Sequence, residues 1–195
     1  PAFPGKPEAK EAYSLRGVMH WQYRTICRGE KSIYERLYEE IEDPFEYIAF
    51  FGLRTHSTLK DKSPVTEEIY IHSKTMIVDD SRIIIGSANI NERSMNGDRD
   101  SEIAVVLEDT EMIRMSQNGV EGQVGSFGHS YRMKLFEEHF GVTPDTAEYD
   151  ELKDPIPLDS WFRIQEQALL NSNIYEAVFR CLPSDSILSF KEMGV

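Results

Sequence analysis

Residues 69–79 read Ile-Tyr-Ile-His-Ser-Lys-Thr-Met-Ile-Val-Asp, and residues 85–89 read Ile-Gly-Ser-Ala-Asn. The apolar and β-branched residues of the first stretch predict a β-strand, on which alternate side chains share a face. His72 and Lys74 are two residues apart, so we expect them to project from the same face of that strand. Asp79 has odd spacing from His72 and is expected on the opposite face.

This combination of residues is suited to chemistry at a phosphate ester. Lys74 supplies a compact positive charge for the phosphate oxygens, and Ser87 and Asn89 can donate hydrogen bonds to them. A histidine such as His72 can attack phosphorus as a neutral imidazole, or act as a general acid once it is protonated. The sequence therefore predicts a phosphodiester site, and stabilisation of this kind needs no metal if enough donors converge.

A histidine in either role needs a group that holds its second ring nitrogen, usually a carboxylate. Glu102 begins the predicted strand 102–107 and is the candidate. Asp79 is the rival, but its spacing places it on the wrong face. We therefore interpret Asp79 as a structural carboxylate that caps the hairpin at the end of the strand, and Gly86 as the glycine of a turn.

A His-x-Lys pair alone would describe an ordinary solvated strand face. The fixed spacing of Asp79, Gly86, Ser87 and Asn89 after the pair argues against that interpretation. A Gly-Ser-x-Asn sequence alone would also describe a turn into a helix. The other histidines lack comparable neighbours and are interpreted as surface or partly buried residues: His20, His56, His129 and His139.

The remaining pattern predicts an α/β fold, with a mixed central sheet flanked by helices on its faces. Residues 1–11 are expected to be a flexible lead-in, and Ser32 is expected to cap a helix. Helices are predicted at 14–27, 32–41, 130–139 and 161–180, and a short helix or turn at 89–95. Strands are predicted at 47–52, 68–78, 82–86 and 102–107, and loops at 56–66, at the glycines 119–128 and at 141–159.

Composition excludes several functional classes. The 195 residues carry a net charge of -13, which argues against a nucleic-acid-binding surface. No apolar run approaches the roughly 20 residues that a bilayer-spanning helix needs. The acidic clusters are interpreted as solvated faces. Arg24, Arg28, Arg54 and Lys74 are the basic residues that we expect to line a pocket.

The 69–89 block resembles the second catalytic motif of the phospholipase D superfamily, which is named for its His, Lys and Asp. Further stretches are similar to the C-terminal half of a eukaryotic phospholipase D, of the kind with phox-homology and pleckstrin-homology modules (animal, fungal or plant zeta). These stretches are residues 19–29, 47–56, 90–95, 99–105 and 174–183. Together the similarity runs from about residue 14 to residue 184.

The resemblance implies an active site built from two such motifs across a pseudo-twofold axis. One histidine would attack the phosphorus of phosphatidylcholine to form a phosphohistidine, and the other would protonate the choline that leaves. His72 would be one of the two, with the acid/base role favoured. Lys74 and Asn89 match the phosphate ligands, Ser87 a supporting donor, and Glu102 the carboxylate that orients a histidine. No cofactor or metal is implied.

This chain contains one copy of the motif, so the resemblance implies half of an active site. We expect residues 12–195 to be a C-terminal catalytic half with a C-terminal helical tail. It would be a fragment of a longer protein and inactive without the N-terminal half that carries the first motif. The expected location is cytoplasmic and peripheral on phosphatidylcholine-containing membranes, with phosphoinositides and small GTPases acting through regions outside this chain.

Two alternatives stay open. Small relatives with one motif form homodimers that cleave nucleic acid, and the motif count fits that class, although the acidic balance argues against it. The second alternative is that the chain is a truncated product that no longer catalyses and would instead bind membranes or the full-length enzyme as an interaction module.

Overall fold

The computed structural model describes residues 10–179, which form two compact units: residues 10–70 together with 162–179, and residues 71–161. The expected α/β class is confirmed. The strands form three small antiparallel sheets in place of one mixed central sheet, with the orders β1-β2, β3-β4-β5 and β6-β7. The strands are Arg54–Thr58 (β1), Pro64–Glu68 (β2), Lys74–Val78 (β3), Arg82–Gly86 (β4), Ala104–Glu108 (β5), Met112–Gln117 (β6) and Val120–Gly125 (β7).

Five of the six α-helices lie close to their predicted positions. The prediction of a loop at 141–159 is wrong for Ala147–Leu152, which is helical. Ser32 caps the second helix as expected, because its hydroxyl accepts a hydrogen bond from the Glu35 backbone N–H at 3.4 Å. The α-helices are Tyr13–Ile26 (α1), Ile33–Tyr38 (α2), Glu92–Met95 (α3), Ser126–Phe140 (α4), Ala147–Leu152 (α5) and Leu158–Phe179 (α6). The last predicted helix residue, Arg180, lies outside the described residues.

The first unit packs around Tyr34 of α2. Its ring lies 4.7 Å from that of Phe45 and 5.9 Å from that of Phe50, and its hydroxyl donates to the Ile48 carbonyl. The prediction of a strand at 47–52 is wrong, because this apolar run packs on Tyr34 as irregular chain. The predicted loop 56–66 is also wrong, since β1 and β2 pair there as a hairpin.

The second unit contains the β3-β4-β5 sheet. The β3–β4 hairpin turns through the three residues 79–81, and Asp79 and Asp80 both have left-handed φ angles, of 50° and 49°. The predicted strand 68–78 is wrong for residues 69–73, because β2 ends at Glu68 and β3 begins at Lys74. His72 therefore precedes the strand and does not share its pleat with Lys74.

The glycine-rich segment forms a second hairpin where a loop was expected. Asn118 and Gly119 have φ angles of 49° and 76° and make the turn between β6 and β7. The helix that follows begins at Ser126, where the Asp109 carboxylate accepts hydrogen bonds from the backbone N–H groups of Phe127 and Gly128 at 2.7 and 3.0 Å. These bonds satisfy two of the free N–H groups of the first turn of α4.

The core of the second unit is small. Ile83, Val124 and Met133 are at most 2% exposed. Four apolar residues of the three-stranded sheet are instead between 41% and 58% exposed: Met76, Ile85, Val105 and Val106. Within residues 10–179, no helix is long and apolar enough to cross a membrane.

Candidate active site

The three strands bring the motif residues to one end of the sheet. Lys74 begins β3 and pairs with Gly86, the last residue of β4, and Gly86 pairs in turn with Ala104, the first residue of β5. His72 lies just before β3, Ser87 just after β4 and Glu102 just before β5. The antiparallel pairing therefore brings His72 and Glu102, which are 30 positions apart in the sequence, to the same end of the sheet.

Gly86 allows β4 and β5 to approach closely at this edge. A Cβ atom at this position would lie 2.7 Å from the Ile103 carbonyl oxygen and 2.8 Å from the Ala104 Cβ, closer than real Cβ contacts allow. The sequence prediction that Gly86 makes a turn is wrong, because Gly86 is the last residue of β4. Its role is to leave room for the neighbouring strand.

Ser87 joins the ends of β4 and β5. Its hydroxyl donates to Glu102 Oε2 at 2.5 Å and accepts from the Ile103 backbone N–H at 3.0 Å. The Ser87 backbone N–H also donates to the Ile103 carbonyl at 3.0 Å. Ser87 is thus fixed by both its backbone and its side chain.

The other oxygen of Glu102 is held by Ser94, which sequence reasoning did not single out. The Ser94 hydroxyl donates to Glu102 Oε1 at 2.6 Å and accepts from the Asn89 backbone N–H at 3.1 Å. An asparagine three residues ahead of this serine does signal a helix start, and Asn91 caps α3. That signal says nothing about the contact with Glu102.

The pKa of Glu102 is lowered, chiefly by the hydrogen bond from Ser87, then by that from Ser94, with a smaller contribution from the positive charge of Lys74. The carboxylate is therefore anionic and lies within the electrostatic reach of the Lys74 ammonium. Two serine hydroxyls occupy part of its acceptor capacity, and a carboxylate has about four acceptor positions. Room is left for a further donor such as an imidazole N–H.

His72 and Lys74 are linked through the backbone. Lys74 Nζ donates to the His72 carbonyl oxygen at 2.5 Å, and the His72 side chain is exposed. Asn89 is exposed as well. The structure thus brings Lys74, Ser87 and Glu102 together and ties the backbone of Asn89 to them, with His72 at the same end of the sheet.

Asp79 lies at the far end of β3, exposed in the hairpin turn, where its backbone carbonyl accepts a hydrogen bond from the Ser81 hydroxyl at 2.9 Å. The adjacent Asp80 is the buried acid of this turn, at 4% exposure. Sequence reasoning placed the structural carboxylate one residue too early. Asp80 pairs with His129 and Arg132 of α4.

Arg24 and Arg28 line an open groove of about 720 Å³ on α1 and the turn after it. Arg28 also lies 3.8 Å from the centre of the Tyr23 ring. Among residues 10–179, no group of three or more His, Cys, Asp and Glu side chains is arranged to hold a metal ion.

This end of the β3-β4-β5 sheet therefore carries the side chains that a phosphate-ester site needs: a lysine, serine hydroxyls and an amide beside a histidine. The family model described as Phospholipase D matches residues 3–179. The chain belongs to the phospholipase D family.

Eukaryotic relatives match nearly the whole chain. A phospholipase D of Phytophthora infestans is 45% identical over 97% of this chain and 10% of the relative. Phospholipase D zeta 1 of Arabidopsis thaliana is 45% identical over 97% of this chain and 17% of the relative. Phospholipase D1 of Mus musculus is 45% identical over 96% of this chain and 17% of the relative. The chain thus spans between 10% and 17% of the length of these relatives.

Proposed function

We propose that this chain supplies one half of a two-motif active site that hydrolyses phosphatidylcholine to phosphatidate and choline, or transfers the phosphatidyl group to a primary alcohol. The observation that carries the proposal is the convergence of Lys74, Ser87 and Glu102 at one end of the β3-β4-β5 sheet, next to His72. Membership of the phospholipase D family supports the same reaction class.

The proposed reaction has two displacements at phosphorus. In the first, one histidine nitrogen forms a bond to phosphorus while the bond from phosphorus to the choline oxygen breaks, and the second histidine gives that oxygen a proton. In the second, water or an alcohol attacks phosphorus, its proton passes to the second histidine, and the phosphorus–nitrogen bond breaks. We assign His72 the acid/base role, with the nucleophile as the alternative, and the other histidine comes from the other half.

Lys74 and Asn89 are proposed to bind the non-bridging phosphate oxygens. Ser87 is proposed as a supporting donor, for which its hydroxyl must turn from Glu102 Oε2, to which it donates in the structure, toward the phosphate. Charge develops on those oxygens as phosphorus is attacked, and a fixed ammonium stabilises it without reorganisation. In the structure the Lys74 ammonium donates to the His72 carbonyl, so it is already next to the residue proposed to react. Glu102 is proposed to orient a histidine through its remaining acceptor positions.

The partners follow from this assignment. The N-terminal half with the first motif would complete the site, and phosphatidylcholine membranes would supply the substrate. Phosphoinositides and small GTPases are proposed to act through regions outside this chain. A net charge of -13 repels anionic surfaces, so attraction to them would also come from elsewhere. We propose a cytoplasmic location, peripheral on membranes.

Transphosphatidylation with 1-butanol tests the proposal. Phosphatidylcholine vesicles would be incubated with this chain alone, with the N-terminal half of a phospholipase D alone, and with the two halves co-expressed. Phosphatidylbutanol from the mixture only, and its loss with His72→Ala, would support a composite site. Product from this chain alone would indicate a homodimeric site, and no product from any folded preparation would favour a non-catalytic interaction module.

A further inference from the structure

The Ser94 hydroxyl connects two parts of the candidate site. It donates its one proton to Glu102 Oε1 at 2.6 Å and accepts from the Asn89 backbone N–H at 3.1 Å. One side chain therefore joins the proposed phosphate ligand to the proposed orienting carboxylate. Ser87 has the same pattern on the other Glu102 oxygen, so the carboxylate lies between two hydroxyls.

Ser94 is itself held in place from both sides. Its backbone N–H donates to Asn91 Oδ1 at 3.0 Å, at the first turn of α3. The preceding residue, Arg93, pairs with Asp100 through Nη2 and Oδ1 at 2.9 Å, and its carbonyl accepts from the Asp100 backbone N–H at 3.0 Å. The segment from Asn89 to Glu102 is thereby closed on itself at two points.

This closure matters because the residues involved are otherwise exposed. Asn89 and Glu102 both lie on the surface. Exposed side chains and loops keep more conformational freedom than buried ones, so holding them in one orientation costs entropy. A site that acts by electrostatic stabilisation needs its donors fixed before the reaction begins. Ser94 is half-buried and is in position to provide that order without touching the substrate.

We propose that Ser94 is a positioning residue, whose hydroxyl fixes Asn89 and Glu102 relative to Lys74. The inference rests on the proposed function for its effect on turnover, while the geometry that it describes belongs to this chain alone. Removal of the hydroxyl leaves the Asn89 N–H without this acceptor and Glu102 without one of its two serine donors. The Asn89 side chain then samples orientations in which it does not bind the phosphate oxygens.

Kinetics on three variants test this proposal in the preparation that forms phosphatidylbutanol. Ser94→Ala should lower kcat by about tenfold and also raise KM, because a mispositioned Asn89 binds the phosphate oxygens less well in both the ground state and the transition state. Ser94→Thr keeps the hydroxyl and should restore kcat to within about twofold of the original chain. Ser130→Ala is the matched control, because the Ser130 hydroxyl bonds only to the Phe127 carbonyl of its own helix among the contacts described.

Wild-type kcat in Ser94→Ala, or a Ser94→Thr variant as slow as Ser94→Ala, would overturn the proposal. A second readout separates it from the proposed function. Inorganic phosphate would be titrated into this chain, with the amide signals of Asn89 followed by NMR. Weaker phosphate binding and faster amide exchange at Asn89 in Ser94→Ala, but not in Ser130→Ala, support the positioning role even if no lipid is turned over. Unchanged binding and exchange overturn it.

Discussion

Arg132 and Asp80 form a two-point ion pair, in which Nε and Nη2 of the guanidinium each donate to one carboxylate oxygen at 2.8 Å. Their side chains are only 12% and 5% exposed. Arg132 also donates to the carbonyl oxygens of Leu152 and Lys153 at 2.8 and 2.9 Å. The turn of the β3–β4 hairpin is therefore fastened to α4 and to the end of α5.

Asp80→Asn should destabilise the chain by about 3 to 5 kcal/mol, because it leaves the Arg132 charge buried without its counter-charge. Asn tolerates the left-handed backbone of this turn, so the effect would come from the lost charge. Urea unfolding measures it. Asp79→Asn is the matched control in the same turn at an exposed position, and it should change the free energy of unfolding by less than about 0.5 kcal/mol. Equal effects of the two variants would contradict the assignment.

The same ion pair predicts how stability depends on pH. Burial alone would raise the pKa of Asp80, but the hydrogen bonds and positive charge of Arg132, followed by those of His129, lower it below the ordinary value of 3.8. The unfolded chain then binds the proton more readily than the folded chain does. The stabilisation is therefore fully present above pH 3.8 and is lost as the pH falls through the lower folded value.

Unfolding free energies measured between about pH 6 and about pH 2 would show this loss. Asp80→Asn should remove that part of the pH dependence, while Asp79→Asn should retain it. An unchanged acid slope in Asp80→Asn would mean that other carboxylates control acid unfolding.

The hairpins show how far sequence reasoning reaches in this chain. The Asp79-Asp80 turn was predictable, since the apolar strands on both sides mark it. The Asn118-Gly119 turn carries a stronger local signal, yet the flanking residues do not alternate and the four nearby glycines favoured a loop. Two of those glycines are required by close contacts, at Gly125 with Asp109 and at Gly128 with Asp80. Such contacts are tertiary and leave no local pattern.

The residues of the candidate site were named from the sequence and the resemblance, and their catalytic roles stay a prediction. The sheet register explains why Lys74, Ser87 and Glu102 lie together. The strand parity argument for His72 failed, because β3 begins at Lys74 and His72 lies before it. The Ser94 contact could not be predicted, since it depends on how the segment from Asn89 to Glu102 closes on itself.

Gly128→Ala should destabilise the chain by at least about 1 to 3 kcal/mol, the typical cost of overpacking. A Cβ atom at Gly128 would lie 1.9 Å from the Asp80 carbonyl oxygen, so α4 and the hairpin turn would have to separate. Gly17 lies within α1 and a Cβ atom there meets nothing within 4 Å. Gly17→Ala should therefore stabilise by about 0.5 to 1 kcal/mol through helix propensity. Thermal unfolding of both variants compares them, and a stabilising Gly128→Ala would show that the turn does not rest on α4.

His72→Ala and Lys74→Ala should each abolish phosphatidylbutanol formation while the far-ultraviolet circular dichroism stays unchanged, because both side chains lie at the edge of the sheet. His139→Ala and Lys60→Ala replace exposed residues of the same types and should retain full turnover. Substantial activity in His72→Ala or Lys74→Ala would remove that residue from the mechanism.

Glu102→Gln separates the two candidates for the carboxylate that orients a histidine. Glutamine has one acceptor oxygen where glutamate has two, so either Ser87 or Ser94 loses its acceptor and the negative charge beside Lys74 disappears. Turnover should fall by about tenfold or more, as expected for the loss of a charged hydrogen-bond partner. Asp79→Asn serves as the control at the far end of β3 and should keep the original rate. Because Asp79 is exposed in the turn and Glu102 is bonded within the site, a slow Asp79→Asn beside an active Glu102→Gln would reverse the assignment and make Asp79 the orienting carboxylate.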